Sequence, residues 1–553
     1  MRTEKDVEVL KRSIMRDEAL YELILDIRKN QTFSNDGTVV WKKVAESLKS
    51  GARKMPTNSE LLVFYKHLVK EGKQNVNCDA EQVLRKIKVR SNSGVAVVSV
   101  LTKPYACPGK CIYCPTEKEM PKSYLSKEPA AARALANDFD PYDQTQNRMR
   151  ALVANGHPVD KLEMIVIGGT WSYYDREYQE EFISEIFRAA NNFDLEEKEQ
   201  IKKEEKTLVE LQVINETAKA RVIGLSIETR PDHIDEDELN RLRYFGVTKV
   251  EIGVQHLDDE VLAYNKRGIT TEEVAEKTEL LRNAGFKVVY HMMPNLPKST
   301  IEMDIKMFKE LYEGKDFHPD MVKMYPCVVL RGSSLYKTWK EGRFTPYTDD
   351  ELVHVLSEAK KATPPYVRII RVIRDIPATY IMAGSKVSNL RQVIEKDQKE
   401  NGWKCRCIRC REVRNEKVLL DDYELSKIEY ETRTGKEIFL SFENKKQGKC
   451  AAFCRLRLSK NVAASNFSGD LEVLKGTAIV RELHTYGQLV KISEEGNQSQ
   501  HKGLGIRLME EAENIAKEAG YQKMAVISGV GVREYYRKKL GYKLDRTYMV
   551  KEL

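Results

Sequence analysis

VAVVSVLTKPYACPGKCIYCPTE, residues 95–117, is the stretch on which the reading of this chain turns. It opens as an apolar, β-branched run and closes with three thiols spaced Cys-x3-Cys-x2-Cys, at Cys107, Cys111 and Cys114. A run that is apolar at successive positions suits a strand buried on both faces, as in a parallel sheet covered by helices. Five more such runs follow, each trailed by a helical pattern: LEMIVIGG at 162–169, VIGLSIET at 222–229, KVEIGVQH at 249–256, KVVYHMM at 287–293 and MVKMYP at 321–326. Six strands alternating with helices predict an α/β barrel or part-barrel. Chemistry in such folds sits at the C-terminal strand ends. The distinctive residues fall there: the thiols after the first strand, Gly168-Gly169-Thr170 after the second, Glu228 closing the third, Gln255 and His256 closing the fourth.

Three thiolates on a 4Fe–4S cluster leave one iron open, and clusters normally take four ligands. A small chelator such as S-adenosylmethionine (SAM), with its amino and carboxylate groups, suits that open corner; electron transfer then cleaves its sulfonium to a 5′-deoxyadenosyl radical. The alternative is a zinc site or a purely structural triplet. The segment resembles the signature of the radical SAM superfamily. That resemblance implies a partial (β/α)6 barrel over 91–400, SAM held by Gly168, Gly169 and Thr170, and a SAM pocket lined by Glu228 and Gln255.

From about residue 418 the texture is that of a smaller α/β domain. IFLSFENKKQGKCAAFCRLRLS and GTAIVRELHTYGQLVKI each read as a strand pair, followed by a loop and helix, a strand at MAVISG, a helix ending at Gly541 and a last strand. The loop Gln500-His501-Lys502-Gly503-Leu504-Gly505 precedes the long helix, where backbone amides form a nest for a pyrophosphate. With VREYYRKKLGY near the end, the ensemble resembles the GNAT acetyltransferase domain, whose loop at this place holds acetyl-CoA. Tyr535 and Tyr536 stand where such domains keep a residue near the acetyl sulfur, often as a general acid.

Between the two domains, at 401–417, Cys405, Cys407 and Cys410 read as a structural zinc clip. Zinc wants a fourth ligand, and Cys327 and His291 are both candidates. Cys450 and Cys454 read as strand packing. The 553 residues carry 92 Lys plus Arg against 84 acids, a net charge of +8 that permits a polyanionic partner without proving one. Its distribution is more telling: from Trp41 to Arg90, twelve basic residues face five acids, in a region (1–90) that reads as helical and nucleic-acid-binding. No run is long and apolar enough for a membrane helix, and the charged start is no secretory signal, so a cytoplasmic protein is expected. Tight cysteine clusters in such a compartment suggest metal sites rather than disulfides.

The pairing of these modules, with SYLSKEPAAARALANDFDPYDQTQNRMRAL, IVIGGTWSYYDREYQEEFI, HMMPNLP, MYPCVVLRGSSLYKTW and CRCIRCREV, resembles the family of the Elongator catalytic subunit, in its single-subunit archaeal or bacterial form. Cys327 departs from the family's pattern, where threonine is expected. The resemblance implies modification of the wobble uridine in the anticodon stem-loop of tRNA. A deoxyadenosyl radical takes hydrogen from the acetyl methyl of acetyl-CoA, the carbon radical adds to uracil carbon 5, and thioester hydrolysis leaves 5-carboxymethyluridine. Unstacked anticodon bases suit such attack. Lys161 and Tyr325 are then candidates to orient a substrate carbonyl near the radical. Arg368, Arg371, Arg374 and the arginines around Cys405–Cys410 are candidates for phosphate contacts. Accessory subunits or a homodimer are admitted as partners. Rival readings are a GNAT-type protein lysine acetyltransferase with a structural iron–sulfur domain, a radical SAM methylthiotransferase, and a non-catalytic tRNA scaffold.

Overall fold

The computed structural model describes residues 94–414, 422–459, 467–486 and 503–553, with Leu62, Lys66 and Val69. The basic region 1–90 otherwise lies outside the described residues, as do Gln500, His501 and Lys502. One compact unit comprises Val97–Gln146 and Asp160–Leu553; the other includes Asn147–Val159.

The expected strands form as β1 (Ala96–Leu101), β2 (Lys161–Ile167), β3 (Arg221–Thr229), β4 (Lys249–Gln255), β5 (Lys287–Met292) and β6 (Met321–Met324). A short pair, β7 (Val329–Leu330) and β9 (Ile381–Ala383), flanks a further strand, β8 (Arg368–Arg371). The main sheet runs β1-β2-β3-β4-β5-β6-β8, and every pairing from β2 to β8 is parallel. It is the expected part-barrel, with seven strands in its sheet instead of six. The seventh lies in VRIIR, where flanking arginines hide a strand; Arg368 is held there by Glu412 at 2.8 Å. Between β2 and β3 the charged stretch 193–220 forms one α-helix, Leu208–Asn215, started by a Thr207/Glu210 capping box.

The C-terminal domain is a second seven-stranded sheet: β10 (Glu424–Glu431), β11 (Gly435–Asn444), β12 (Lys449–Ser459), β13 (Thr477–Thr485), β14 (Lys523–Val526), β15 (Lys543–Asp545) and β16 (Tyr548–Glu552). Its order is β10-β11-β12-β13-β14-β16-β15, antiparallel except for β13 and β14. Those two pair only over Thr477–Val480 and Lys523–Val526, so the rest of β13, Arg481–Thr485, parts from β14. The helix Leu504–Glu518 links the two strands. The sheet is thus splayed between β13 and β14.

This domain docks on the N-terminal ends of the barrel strands. Gly529 and Gly531 pack against the backbone of Arg221–Ile223, which opens β3, with no room for a Cβ at either position. Arg481, fully buried, donates to both carboxylate oxygens of Asp320, just before β6, at 2.7 Å each. It also donates to the Phe286 carbonyl before β5 at 2.9 Å. Arg455 donates to the Tyr366 carbonyl before β8 at 2.7 Å.

Candidate active site

Cys107, Cys111 and Cys114 lie on the loop leaving β1, at the opposite barrel end from the C-terminal domain. Loop bonds hold them: Ile112 N–H donates to the Asn265 carbonyl at 3.2 Å and Thr116 N–H to the Gly332 carbonyl at 2.9 Å. Cys107 Sγ is 3.6 Å from Thr170 Oγ1, which brings the thiol loop to the Gly168-Gly169-Thr170 turn after β2. A Cβ at Gly168 would collide with Thr102 Oγ1, whereas Gly169 has open space. Gln255 ends β4 with φ +77°, a left-handed backbone unusual for a non-glycine, and its Oε1 is buried without a hydrogen-bond partner among the described residues. Strain and an orphaned acceptor together mark a functional site. Three thiols on one loop, a turn open at Gly169 and an unsatisfied amide oxygen fit a cluster with a polar chelator beside it.

Below this mouth the barrel interior is charged instead of apolar, the reverse of the usual branched aliphatic filling. Glu228 accepts from the Tyr124 hydroxyl at 2.6 Å and from Lys323 at 3.3 Å. Lys323 also pairs with Glu251, which bonds His291 Nε2 at 2.9 Å. Tyr325, just past β6, meets the His291 ring edge-on at 5.5 Å. Nearer the base, Glu163 pairs with Lys249. The Lys249 ammonium holds the Glu163 carboxyl down to about 2. Burial works against charge on Glu251, yet Lys323 and His291 keep its carboxyl well below the usual range. Glu228, Glu251 and His291 have ligand atoms within 4.8 Å of one another, a spacing suited to a cation, and the Lys323 ammonium supplies one. The sequence reading missed Lys323, Glu251, Lys249 and Glu163; their signal is charge at alternate positions inside otherwise apolar runs.

Lys161 opens β2 while Gly168 follows its end, so about 20 Å of strand separates it from the thiol loop. It therefore stands on the side of the C-terminal domain, with burial lowering its pKa. On that side β13 offers Glu482, 2.9 Å from Arg455, and His484, whose Nε2 is buried without a hydrogen-bond partner among the described residues. Burial drives the His484 imidazole down to about 4. Gly503 caps the helix Leu504–Glu518 with φ +101°, a conformation that favours glycine. A Cβ at the buried Gly505 would lie 3.0 Å from the Tyr535 hydroxyl. Tyr536 is buried, edge-on to Tyr542 at 6.1 Å.

Cys405, Cys407 and Cys410 bring their sulfurs within 4.8 Å of one another. Of the two candidate fourth ligands, neither joins them. Cys327 is buried in the cluster around Ile112 and Tyr113, under the early thiols, and His291 is bonded to Glu251. Instead Lys360, fully buried with its Nζ over the Trp403 ring at 6.0 Å and without a hydrogen bond among the described residues, acts electrostatically on Cys410. Three thiolates with a buried ammonium nearby are a donor set for a thiophilic divalent ion. Of the arginines expected to meet phosphate, Arg374 is bound to Glu128 and to the Ser123 carbonyl, Arg368 to Glu412 and Tyr486, and Arg371 to Asp375. Burial, with the like charges of Arg391, Arg368 and Arg414, lowers the Arg409 pKa, and Glu412 offsets only part of this.

The radical SAM superfamily profile matches residues 101–311, and the Radical_SAM C-terminal domain profile matches 319–400. The chain is 44% identical over 540 residues to the tRNA uridine(34) acetyltransferase of Methanocaldococcus infernus, covering 94% of this chain and 97% of that one. It is 43% identical to the protein of the same name from Dehalococcoides mccartyi, over 84% and 99% of the two chains. Elongator complex protein 3 of Saccharomyces cerevisiae is 39% identical over 84% of each. The solved structure of the archaeal Methanocaldococcus infernus Elp3 with an N-terminal deletion superposes with a TM-score of 0.70 at 42% identity, covering 83% of this chain and all of that one. By its thiol loop, its part-barrel and these relatives, the chain belongs to the tRNA uridine(34) acetyltransferase and Elongator complex protein 3 family of radical SAM proteins.

Proposed function

We propose that this protein modifies the wobble uridine of tRNA to 5-carboxymethyluridine, drawing the new carbons from acetyl-CoA. One observation carries the reading: the splayed edge of the C-terminal sheet faces the base of a barrel whose interior is ionised from Glu163 up to Glu228. A polar interior joining the acetyl-binding fold to the thiol loop is what one reaction shared by two modules requires.

Cys107, Cys111 and Cys114 would hold a 4Fe–4S cluster; Gly168, Gly169, Thr170, Glu228 and Gln255 would hold SAM. When bound, that pair supplies a 5′-deoxyadenosyl radical, the means of attacking an unactivated methyl carbon. Gly503, Leu504 and Gly505 would present amides to the acetyl-CoA pyrophosphate, as would Gln500, His501 and Lys502 ahead of them. Tyr535 and Tyr536 would border the acetyl sulfur. Lys161, placed at the barrel base, would orient the thioester carbonyl from below. Tyr325, held against His291 at the upper end, would orient the base. Cys405, Cys407 and Cys410 would hold zinc, with Lys360 balancing the single negative charge left when three thiolates meet one divalent ion. Arg391, Arg409 and Arg414 would contact tRNA phosphates, since Arg368 and Arg374 are already engaged. We divide the chain into a tRNA-binding region at 1–90, the barrel at 91–400, the zinc segment at 401–417 and the GNAT domain at 418–553.

The test is anaerobically reconstituted protein with tRNA, SAM, a one-electron reductant and isotopically labelled acetyl-CoA, followed by nucleoside mass analysis. Label in carboxymethylated uridine is the expected result. Label confined to protein lysines would overturn the reading in favour of a lysine acetyltransferase.

A further inference from the structure

Arg230 stands just beyond β3, and its guanidinium lies against the loop of early thiols. A Cβ added at Gly109, midway between Cys107 and Cys111, would sit 2.5 Å from Arg230 Nη1 and 3.5 Å from Cys107 Sγ. Guanidinium and thiol therefore flank the same backbone atom, and only glycine leaves room for both. The side chain is 10% exposed. Its Nε donates to Asp232 Oδ1 at 2.9 Å, and its Nη2 donates to Asp232 Oδ2 at 2.8 Å and to the Arg267 carbonyl at 3.1 Å. These bonds fix the guanidinium plane and leave Nη1 on the loop side. Cys111 and Cys107 are among the charges that act on it. The other charges nearby are Arg267, which acts on Tyr113, Lys122, which acts on Cys114, and His233, 4.0 Å from Asp232.

We propose that the Arg230–Asp232 pair sets the reduction potential of the cluster held by Cys107, Cys111 and Cys114, Arg230 easing reduction and Asp232 restraining it. The proposal rests on the cluster reading above. A 4Fe–4S core of charge 2+ with three thiolates has a net charge of −1, and one electron from an external reductant takes it to −2. A fixed guanidinium in a site shielded from water favours the more negative form; a carboxylate opposes it. Because Asp232 also holds the guanidinium in place, the pair gives the loop a positive charge of defined position and moderated strength. Arg230 acts through the cluster and is a positioning residue.

The experiment is a potentiometric titration of the anaerobically reconstituted full chain, without SAM, followed by electron paramagnetic resonance, for wild type, Arg230→Met, Arg230→Lys and Asp232→Asn. Iron and sulfide are counted in each. The Arg230→Met midpoint is expected to fall. At a fixed potential its ratio of reduced to oxidised cluster should drop about tenfold or more, since tenfold corresponds to ~59 mV for a one-electron couple. Arg230→Lys should lie between the two, and Asp232→Asn should move the opposite way. A merely structural role gives shifts of the same sign in both partners, or none, and either result overturns the proposal. If Arg230→Met fails to retain iron, Asp232→Asn decides alone: a rise supports the proposal, while no change or a fall overturns it. Wild-type protein that binds no iron would instead defeat the cluster reading itself.

Discussion

Asp320→Asn should loosen the seam between the two domains. In the wild-type protein the Asp320 carboxylate accepts both Arg481 amino groups at 2.7 Å and the Val288 N–H at 2.9 Å, and both side chains are 0% exposed. Around them Arg282, Arg455, Arg457 and Arg481 are balanced by Glu279, Asp320, Glu437 and Glu482. The substitution leaves four buried guanidiniums facing three carboxylates. Removing one partner of a buried pair costs about 3–5 kcal/mol, because the surviving charge is stranded in low dielectric. At about 1.4 kcal/mol per tenfold, that lowers protection against local opening by about two to three and a half powers of ten. Native-state hydrogen exchange at pH 7 reads it directly, at Val288 in β5 and across Ile479–Leu483 in β13. The Asp320 carboxyl is held well below its ordinary value: burial opposes its charge, but Arg481 and Arg455 outweigh it. A depressed carboxylate contributes fully above the unfolded pKa of about 3.9 and loses its contribution as pH falls through the folded value, so pH 7 measures all of it. A fall in protection of threefold or less would refute the reasoning. The exposed pair Lys523–Glu552 provides the control, and Glu552→Gln should change little.

Other outcomes follow from the same geometry. The His484 imidazole sits at about 4 in the folded chain, so between about 6.5 and 4 the unfolded chain binds the extra proton. Stability should therefore decline by up to about 3 kcal/mol across that window as pH falls, and urea titrations of His484→Gln should lack this part of the slope. Gly503→Ala forces a side chain into φ +101°, a strain of about 1–2 kcal/mol that should weaken acetyl-CoA binding about five- to thirtyfold by calorimetry; unchanged affinity would remove the pyrophosphate role. Purified protein should carry one zinc per chain, lost in Cys407→Ala. Lys360→Met should bind it at least about tenfold more weakly, since a buried negative charge is then uncompensated. Equal zinc affinity in Lys360→Met by competition with a chromophoric chelator would show that the ammonium does not serve the site.

The mouth of the barrel was legible because its signals are local. A β-branched run followed by spaced thiols, or a Gly-Gly-Thr after LEMIVI, needs only its own neighbours to be read. β8 was not, because Arg368 and Arg371 give VRIIR the look of a surface segment until Glu412, 44 positions on, is seen to neutralise the first of them. Lys161 was legible as a special residue but not as one at the wrong end of its strand for the thiol loop. In a parallel strand the two ends serve different faces, and only the docked C-terminal domain reveals that the lower face is occupied. The second thiol cluster shows the same limit: Cys405, Cys407 and Cys410 are close in sequence, while Lys360 arrives from the helix Asp349–Ala362.

The ionised barrel interior has the least local cause and the largest consequence. Glu251 meets His291 on the next strand and Lys323 one strand further, so its role depends on strand order, which periodicity alone does not supply. Charged pairs inside a barrel repay little of their desolvation, so this interior contributes less stability than an aliphatic one would. The compensation is visible at the base, where Arg455 and Arg481 from the C-terminal sheet close over Asp320, and Glu482 lies 3.9 Å from Lys287. Docking of the second domain thus neutralises the strand ends that the charged interior leaves exposed. The same contacts that stabilise the barrel also align it with the C-terminal sheet. A change that frees the two domains is therefore expected to destabilise the barrel itself, not merely to uncouple two independent modules.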